Sequence, residues 1–251
     1  MHVLDLFSGI GGFSLGLERA GMETVAFCEI DPHARAVLAA HWPGVKIYDD
    51  VQWVSRHALA RDLVPTPNVI CGGFPCQDAS FGQTQWGKRV GIEGERTGLW
   101  RHIARLADEI RPDALVLENV TGLLSVGWGR VLGDLAAIGY DAEWDRFPAF
   151  ALGLPHRRDR LWAVAYPGGS RLSRHNKGQG VLKSAAAALA QHGDGAAGAW
   201  RALVSNLDAV RGGDGLSVAM ERRRVHALGN AVVPQIPEII GRAILAAEAN
   251  A

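Results

Sequence analysis

Over its first 166 residues the chain alternates short runs rich in β-branched and other apolar residues with longer stretches whose apolar positions recur at helical spacing. Few folds accommodate that alternation. Strands separated by helices come side by side through crossovers, so the pattern predicts a mostly parallel sheet covered by helices. Strands are expected at Met1 to Asp5, Thr24 to Glu29, Val69 to Cys71, Ala114 to Glu118, Asp141 to Phe147 and Leu161 to Tyr166, with a weaker one at Val45 to Tyr48. Helices are expected at Gly12 to Ala20, Pro32 to His41, Trp53 to Arg61, Leu99 to Ile110 and Trp128 to Ile138. In the fourth of these, Ile103, Leu106, Ala107 and Ile110 form one apolar stripe with Arg101, Arg105 and Asp108 between them. The expected class is therefore α/β, a Rossmann-like, mostly parallel sheet with helices on both faces.

Beyond Tyr166 the pattern breaks at Pro167-Gly168-Gly169-Ser170, and residues 168 to 215 are rich in Gly, Ala and polar groups. A short helix at Ala185 to Ala190 is the one element suggested there. From Arg222 the pattern tightens again, and Pro234 to Ala247 reads as a C-terminal helix. The expected organisation is a domain built from residues 1–166 and 222–251, interrupted by a small irregular insert over 167–221.

Composition narrows the classes. With 251 residues, 48% of them hydrophobic, the chain can bury a full core. No apolar run reaches the roughly 18 residues of a membrane span, and the start lacks the basic segment of a secretory signal, so a cytoplasmic protein is expected. Three cysteines, Cys28, Cys71 and Cys76, without a CxxC pair indicate neither a disulfide framework nor a zinc site, and no metal is expected. The formal charge is zero, yet residues 1–155 carry −6 and residues 156–251 carry +6. The basic half includes Arg157, Arg158, Arg160 and the run Arg222-Arg223-Arg224, which suits a polyanionic partner on one face.

Two turns carry chemistry. Asp5-Leu6-Phe7-Ser8-Gly9-Ile10-Gly11-Gly12 follows the first strand and opens a helix, where glycines let a ligand approach free backbone N–H groups. Glu29, at the end of the next strand and 20 residues after Gly9, is placed to accept hydrogen bonds from ribose hydroxyls. This points to a cofactor containing adenosine, with nicotinamide, flavin and S-adenosylmethionine all open; Asp50 could reach an adenine amino group. The second turn, Gly72-Gly73-Phe74-Pro75-Cys76-Gln77, follows the strand at Val69 and fixes a thiol beyond a carboxyl end of the sheet. A nucleophile needs such a frame more than a structural thiol does. Glu118, in Glu118-Asn119-Val120, ends another strand.

Taken in order, these blocks, together with Arg96-Thr97-Gly98-Leu99-Trp100, Pro155-His156-Arg157-Arg158-Asp159-Arg160 and Gly229-Asn230-Ala231-Val232-Val233-Pro234, resemble the DNA cytosine-5 methyltransferase family. The resemblance implies a class I S-adenosylmethionine-dependent methyltransferase fold, S-adenosylmethionine as cofactor and duplex DNA as substrate, with the target base flipped out. It implies Cys76 as the nucleophile toward cytosine C6, Glu118 as the carboxyl at N3, Arg158 as the arginine near O2, and Arg160 as its structural or phosphate-contacting neighbour. Phe7, Ser8, Gly9, Gly11, Gly12, Glu29, Ile30, Asp50, Pro75, Leu99, Asn230 and Val232 match its cofactor-contacting positions. His156 departs from the glutamine usual in its block, and the 167–221 stretch is short for a target-recognition region. A monomer is expected, accompanied by a cognate restriction enzyme or a specificity partner. A catalytically idle DNA-binding member and an RNA cytosine methyltransferase are the alternatives.

Overall fold

The computed structural model describes residues 1–75, 97–149, 158–176, 180–189 and 231–249. Seven strands form one sheet: β1 (His2–Leu6), β2 (Glu23–Cys28), β3 (Lys46–Tyr48), β4 (Val69–Gly72), β5 (Ala114–Val120), β6 (Tyr140–Pro148) and β7 (Asp159–Pro167). Their order is β3-β2-β1-β4-β5-β7-β6. The first five strands pair in parallel, and β7 enters antiparallel between β5 and β6. Because the chain builds outward from β1 in one direction and then returns to add β4 on its other side, the strand order reverses between β1 and β4. Loops leaving the carboxyl ends of these two strands diverge and open a crevice between them. The glycine turn and the loop leading to Cys76 are those two loops.

Alternation along the central strands sorts side chains to two faces. Leu4, Leu6, Ile70, Leu115, Leu117, Leu161 and Ala163 face one core, which is closed by α3 (Arg56–Arg61), α4 (Trp100–Ile110) and α6 (Trp128–Ala137). Val3, Val69, Val116, Trp162, Val164 and Tyr166 face the other. That second core is closed by α1 (Gly12–Ala20), α7 (Arg171–Asn176), α8 (residues 181–189) and the C-terminal α9 (Gln235–Ala249). Two further helices, α2 (Pro32–His41) and α5 (Leu123–Val126), complete the described elements.

Local chemistry sets the boundaries. Pro32 starts α2, where its missing N–H costs nothing, and the Asp31 side chain accepts from the His33 and Ala34 N–H groups. The helix expected from Trp53 starts instead at Arg56, because Asp50 to Trp53 form a turn and the Ser55 side chain caps the Ala58 N–H. Strand β7 runs further than its apolar stretch, since Asp159 and Arg160 continue the ladder with Pro148 and Phe147.

The described residues after Tyr166 pack onto the sheet. The first part of the stretch expected to form an irregular insert is helical and lies in the second core, where Leu172, Val181, Leu182, Ala185 and Leu189 are buried. Side chains of β6 hold it there. Glu143 accepts from the Val181 and Leu182 N–H groups at 2.8 and 2.9 Å, capping α8, and the Ser173 hydroxyl donates to Asp141 at 2.9 Å. The core thus extends to residue 189; residues 190–230 lie outside the described residues. Among those described, no helix is long and apolar enough to cross a membrane, and no cluster of His, Cys, Asp and Glu could hold a metal ion.

Candidate active site

The glycine turn is braced from below. Asp5, at the end of β1, is fully buried; its Oδ2 accepts from the Ser14 N–H at 3.3 Å and from the Ser14 hydroxyl at 2.7 Å. This ties the strand to the first turn of α1. Ser8 is buried too, its hydroxyl donating to the Asp5 carbonyl at 2.7 Å while accepting from the Cys28 N–H at 3.3 Å. The hydroxyl is therefore spent on joining β1 to β2. Phe7 and Gly9 adopt φ of +55° and +54°, and no atom lies within 4 Å of where a Gly9 Cβ would stand. That open space in a left-handed turn is a cradle against which a ligand can lie on bare backbone.

Glu29 extends from the end of β2 and is held by two backbone donors, Gly9 N–H at 2.7 Å and Asp31 N–H at 2.8 Å. Each carboxylate oxygen keeps a second lone pair, so the group is oriented while remaining able to accept from a diol. Next to it Ile30 is 73% exposed, an apolar side chain with no core to fill. Asp50 sits at the head of the turn after β3, its Oδ1 accepting from the Gln52 N–H at 2.8 Å. Cradle, anchored carboxylate, bare apolar side chain and second carboxylate line the carboxyl ends of adjacent strands. These features fit the ribose and adenine of an adenosyl cofactor.

On the other side of the crevice, Glu118 and Arg160 meet across the β5–β7 pair. Glu118 is opposite Trp162 and Arg160 opposite Val120, so the two project from the same face on a diagonal, with Arg160 Nε 3.0 Å from Glu118 Oε1. Burial pushes the Glu118 carboxyl above its usual range, opposed by the positive charges of Arg160 and Arg158. The same burial, together with Arg160, lowers the Arg158 guanidinium from its ordinary value. Gly73 passes so close that an added Cβ would stand 3.0 Å from Glu118 Oε2. The second glycine of the thiol loop thus leaves space for this carboxyl.

Asn119, a member of the Glu118-Asn119-Val120 block, has a role that the sequence does not show. It lies on the opposite face of β5, buried, and its amide donates to the Phe74 carbonyl at 3.1 Å while its own oxygen accepts from the Val120 N–H at 2.8 Å. Phe74 in turn packs its ring 5.5 Å from that of Trp100, which follows Leu99 at the start of α4. Adjacent residues of one strand therefore present a carboxyl to the crevice and hold the entry to the thiol loop. Only its position next to Glu118 could have flagged Asn119. Pro75 is the last described residue of that loop; Cys76, His156 and Asn230 lie outside the described residues.

The C-terminal segment closes the cofactor side. A Cβ on Gly12 would stand 2.5 Å from the Val232 carbonyl, and one on Gly16 would stand 2.2 Å from the Pro234 carbonyl. Gly12 and Val232 accordingly appear as packing partners of each other, and Gly11 is the N-cap of α1 with the Trp42 ring against it. Leu99 is half-buried against the first core.

A family model for C-5 cytosine-specific DNA methylase matches residues 1–192. The type II methyltransferase M2.BsuMI of Bacillus subtilis is 39% identical over 173 residues, covering 66% of this chain and 42% of that protein. M.Eco47II of Escherichia coli, also a type II methyltransferase, is 39% identical over 172 residues, covering 65% and 39%. The match thus spans about two fifths of the length of these curated relatives. Among solved structures, the S. pombe Dnmt2 methyltransferase gives a TM-score of 0.55 at 19% identity, over 68% of this chain and 52% of the other. A Spodoptera frugiperda DNMT2 mutant gives 0.54 at 21%, over 67% and 50%, and both are likenesses of fold. With the family model spanning most of the chain, the chain belongs to the C-5 cytosine-specific DNA methylase family.

Proposed function

We propose that the chain transfers a methyl group from S-adenosylmethionine to C5 of cytosine in duplex DNA. The observation that carries this reading is Glu118: a buried carboxyl with a raised pKa, facing two arginines at the mouth of the loop that leads to Cys76. Cytosine C5 is a poor nucleophile until electron density is driven into the ring. The Cys76 thiolate would add to C6, forming the S–C6 bond, while Glu118 holds a proton at N3 so that the displaced electron pair is accommodated there. Arg158 would face the O2 side, and Arg160 would keep the Glu118 carboxyl aimed. C5 would then bond to the donor's methyl carbon as its methyl–sulfur bond breaks, leaving S-adenosylhomocysteine; water would take the C5 proton, its electron pair would restore the C5–C6 double bond, and the C6–S bond would break to release the Cys76 thiolate.

S-adenosylmethionine would be held by the Gly9 turn, Glu29, Ile30, Asp50, Leu99 and Val232, and would supply an electrophilic methyl group. Phe7, Ser8, Gly11, Gly12, Pro75 and Asn230 would belong to the walls of that pocket. Since C6 is out of reach inside a duplex, the target nucleotide would be flipped out at a cost of about a few kcal/mol. The type II naming of the relatives favours a restriction–modification setting.

The test is incubation with duplex DNA containing 5-fluorocytosine and labelled cofactor. A denaturation-resistant protein–DNA adduct is expected, and it should vanish in Cys76→Ala. Methyl transfer surviving that substitution would overturn the nucleophile assignment; cofactor binding without any adduct would favour an idle DNA-binding member. Competition between duplex DNA and tRNA separates the two nucleic-acid substrates.

A further inference from the structure

Arg105 lies in the middle of α4, in neither the glycine turn nor the thiol loop, yet its side chain reaches the turn headed by Asp50. One guanidinium nitrogen donates to the carbonyls of Val51 at 3.2 Å and Val54 at 2.8 Å; the other donates to Glu109 at 2.8 Å. The second oxygen of Glu109 accepts from the Arg56 N–H at 3.3 Å, just past the same turn. Both side chains of the Arg105–Glu109 pair are about one-third exposed, at 34% and 35%, so as an ion pair it contributes little. What distinguishes it is geometry. One terminal nitrogen engages two carbonyls three residues apart while the other is held by a carboxylate, so the planar guanidinium fixes all three acceptors relative to one another.

The same helix borders the thiol loop. Leu99 immediately precedes it, and Trp100, its first residue, stacks near Phe74 and donates to Asp134 at 3.0 Å. Five residues of helix separate Trp100 from Arg105, about 7.5 Å along a rigid axis. We propose that Arg105 is a positioning residue for cofactor recognition: it fixes the Val51 to Val54 turn, and with it Asp50, against the helix that flanks the nucleophile loop. The adenine-facing carboxylate and the entry to the thiol loop are then referred to one rigid element. This rests on the reading of Asp50 as an adenine contact.

A double-mutant cycle decides it, using calorimetric titration of S-adenosylhomocysteine onto the full chain. If Arg105 acts through Asp50, Arg105→Ala and Asp50→Ala each weaken binding about 10-fold, and the double variant is weakened little further, because the second loss has already been incurred. Arg105→Lys, which keeps the charge without the fork, falls between Arg105→Ala and wild type; it serves in the same cycle should the alanine variant fail to fold. Independent penalties that multiply to about 100-fold, or unchanged affinity accompanied only by a lower melting temperature, would overturn the positioning role. Absence of binding by the wild-type chain would overturn the cofactor reading itself and this inference with it.

Discussion

Arg160 and Glu118 stand 3.0 Å apart on adjacent antiparallel strands, displaced by one diagonal step of the ladder. The carboxyl is pulled two ways: burial favours its neutral form, and the guanidinium favours the ionised one. Under the function proposed above, in which Glu118 holds a proton at N3, being close to that balance point is an advantage.

Arg160→Ala should tip the balance. With the main opposing charge removed, the Glu118 carboxyl rises further, so the alkaline limb of the rate–pH profile moves to higher pH. Arg160→Lys should restore part of the shift. A limb that stays where it was, or moves to lower pH, would mean that Glu118 is not the group being titrated.

Asn119→Ala removes the only side-chain donor described on the Phe74 carbonyl. The expected cost is about 1–3 kcal/mol in stability, from a buried acceptor left unmade. Adduct formation with 5-fluorocytosine DNA should slow about 10-fold while S-adenosylhomocysteine affinity is retained. Loss of cofactor binding in parallel would show the amide to be a general structural tie.

Gly16→Ala places a methyl group 2.2 Å from the Pro234 carbonyl and close to Pro237 and Glu238, atoms of backbone and ring that cannot swing aside. Separating α1 from α9 should cost about 1–3 kcal/mol. Cofactor affinity should fall as well, because Val232 lies on the same seam. Thermal melting and calorimetry on one preparation report both.

Asp5 links stability to pH. Burial raises its carboxyl from 3.8 to about 7, against the opposing bonds from Ser14 and Cys71. The folded chain therefore binds this proton more tightly than the unfolded chain does. Its stabilising contribution is complete below about pH 4 and is lost as pH rises through 7, a swing of about 4 kcal/mol at most. Asp5→Asn should flatten the slope of melting temperature between pH 4 and 7. An unchanged slope would show that Asp5 is already ionised in the folded chain.

Much of this was legible in the sequence because it depends on local patterning. Alternating apolar residues placed all seven strands, and Pro32 and the glycine turn marked helix starts to the residue. Glu118 and Arg160 were visible as motif members, but their pairing depends on the β5–β7 register, which no local signal encodes. The contacts of Asn119 and Arg105 are illegible for the same reason: their partners lie 45 to 54 positions away along the chain. The buried run at Val181 and Leu182 is obscured by the Ala-rich composition that follows, and its anchor, Glu143, lies 38 and 39 positions before the N–H groups it caps.

The seam between α1 and α9 joins residues more than 200 positions apart. During synthesis, α1 leaves the ribosome long before its partner exists, and the small-residue face around Gly12 and Gly16 stays uncovered throughout. The glycine turn can be drawn to its final shape only when Val232 and the helix beyond it arrive. A nascent chain should therefore complete the wall between Gly12 and Val232 late and in one step, only once α9 has been made.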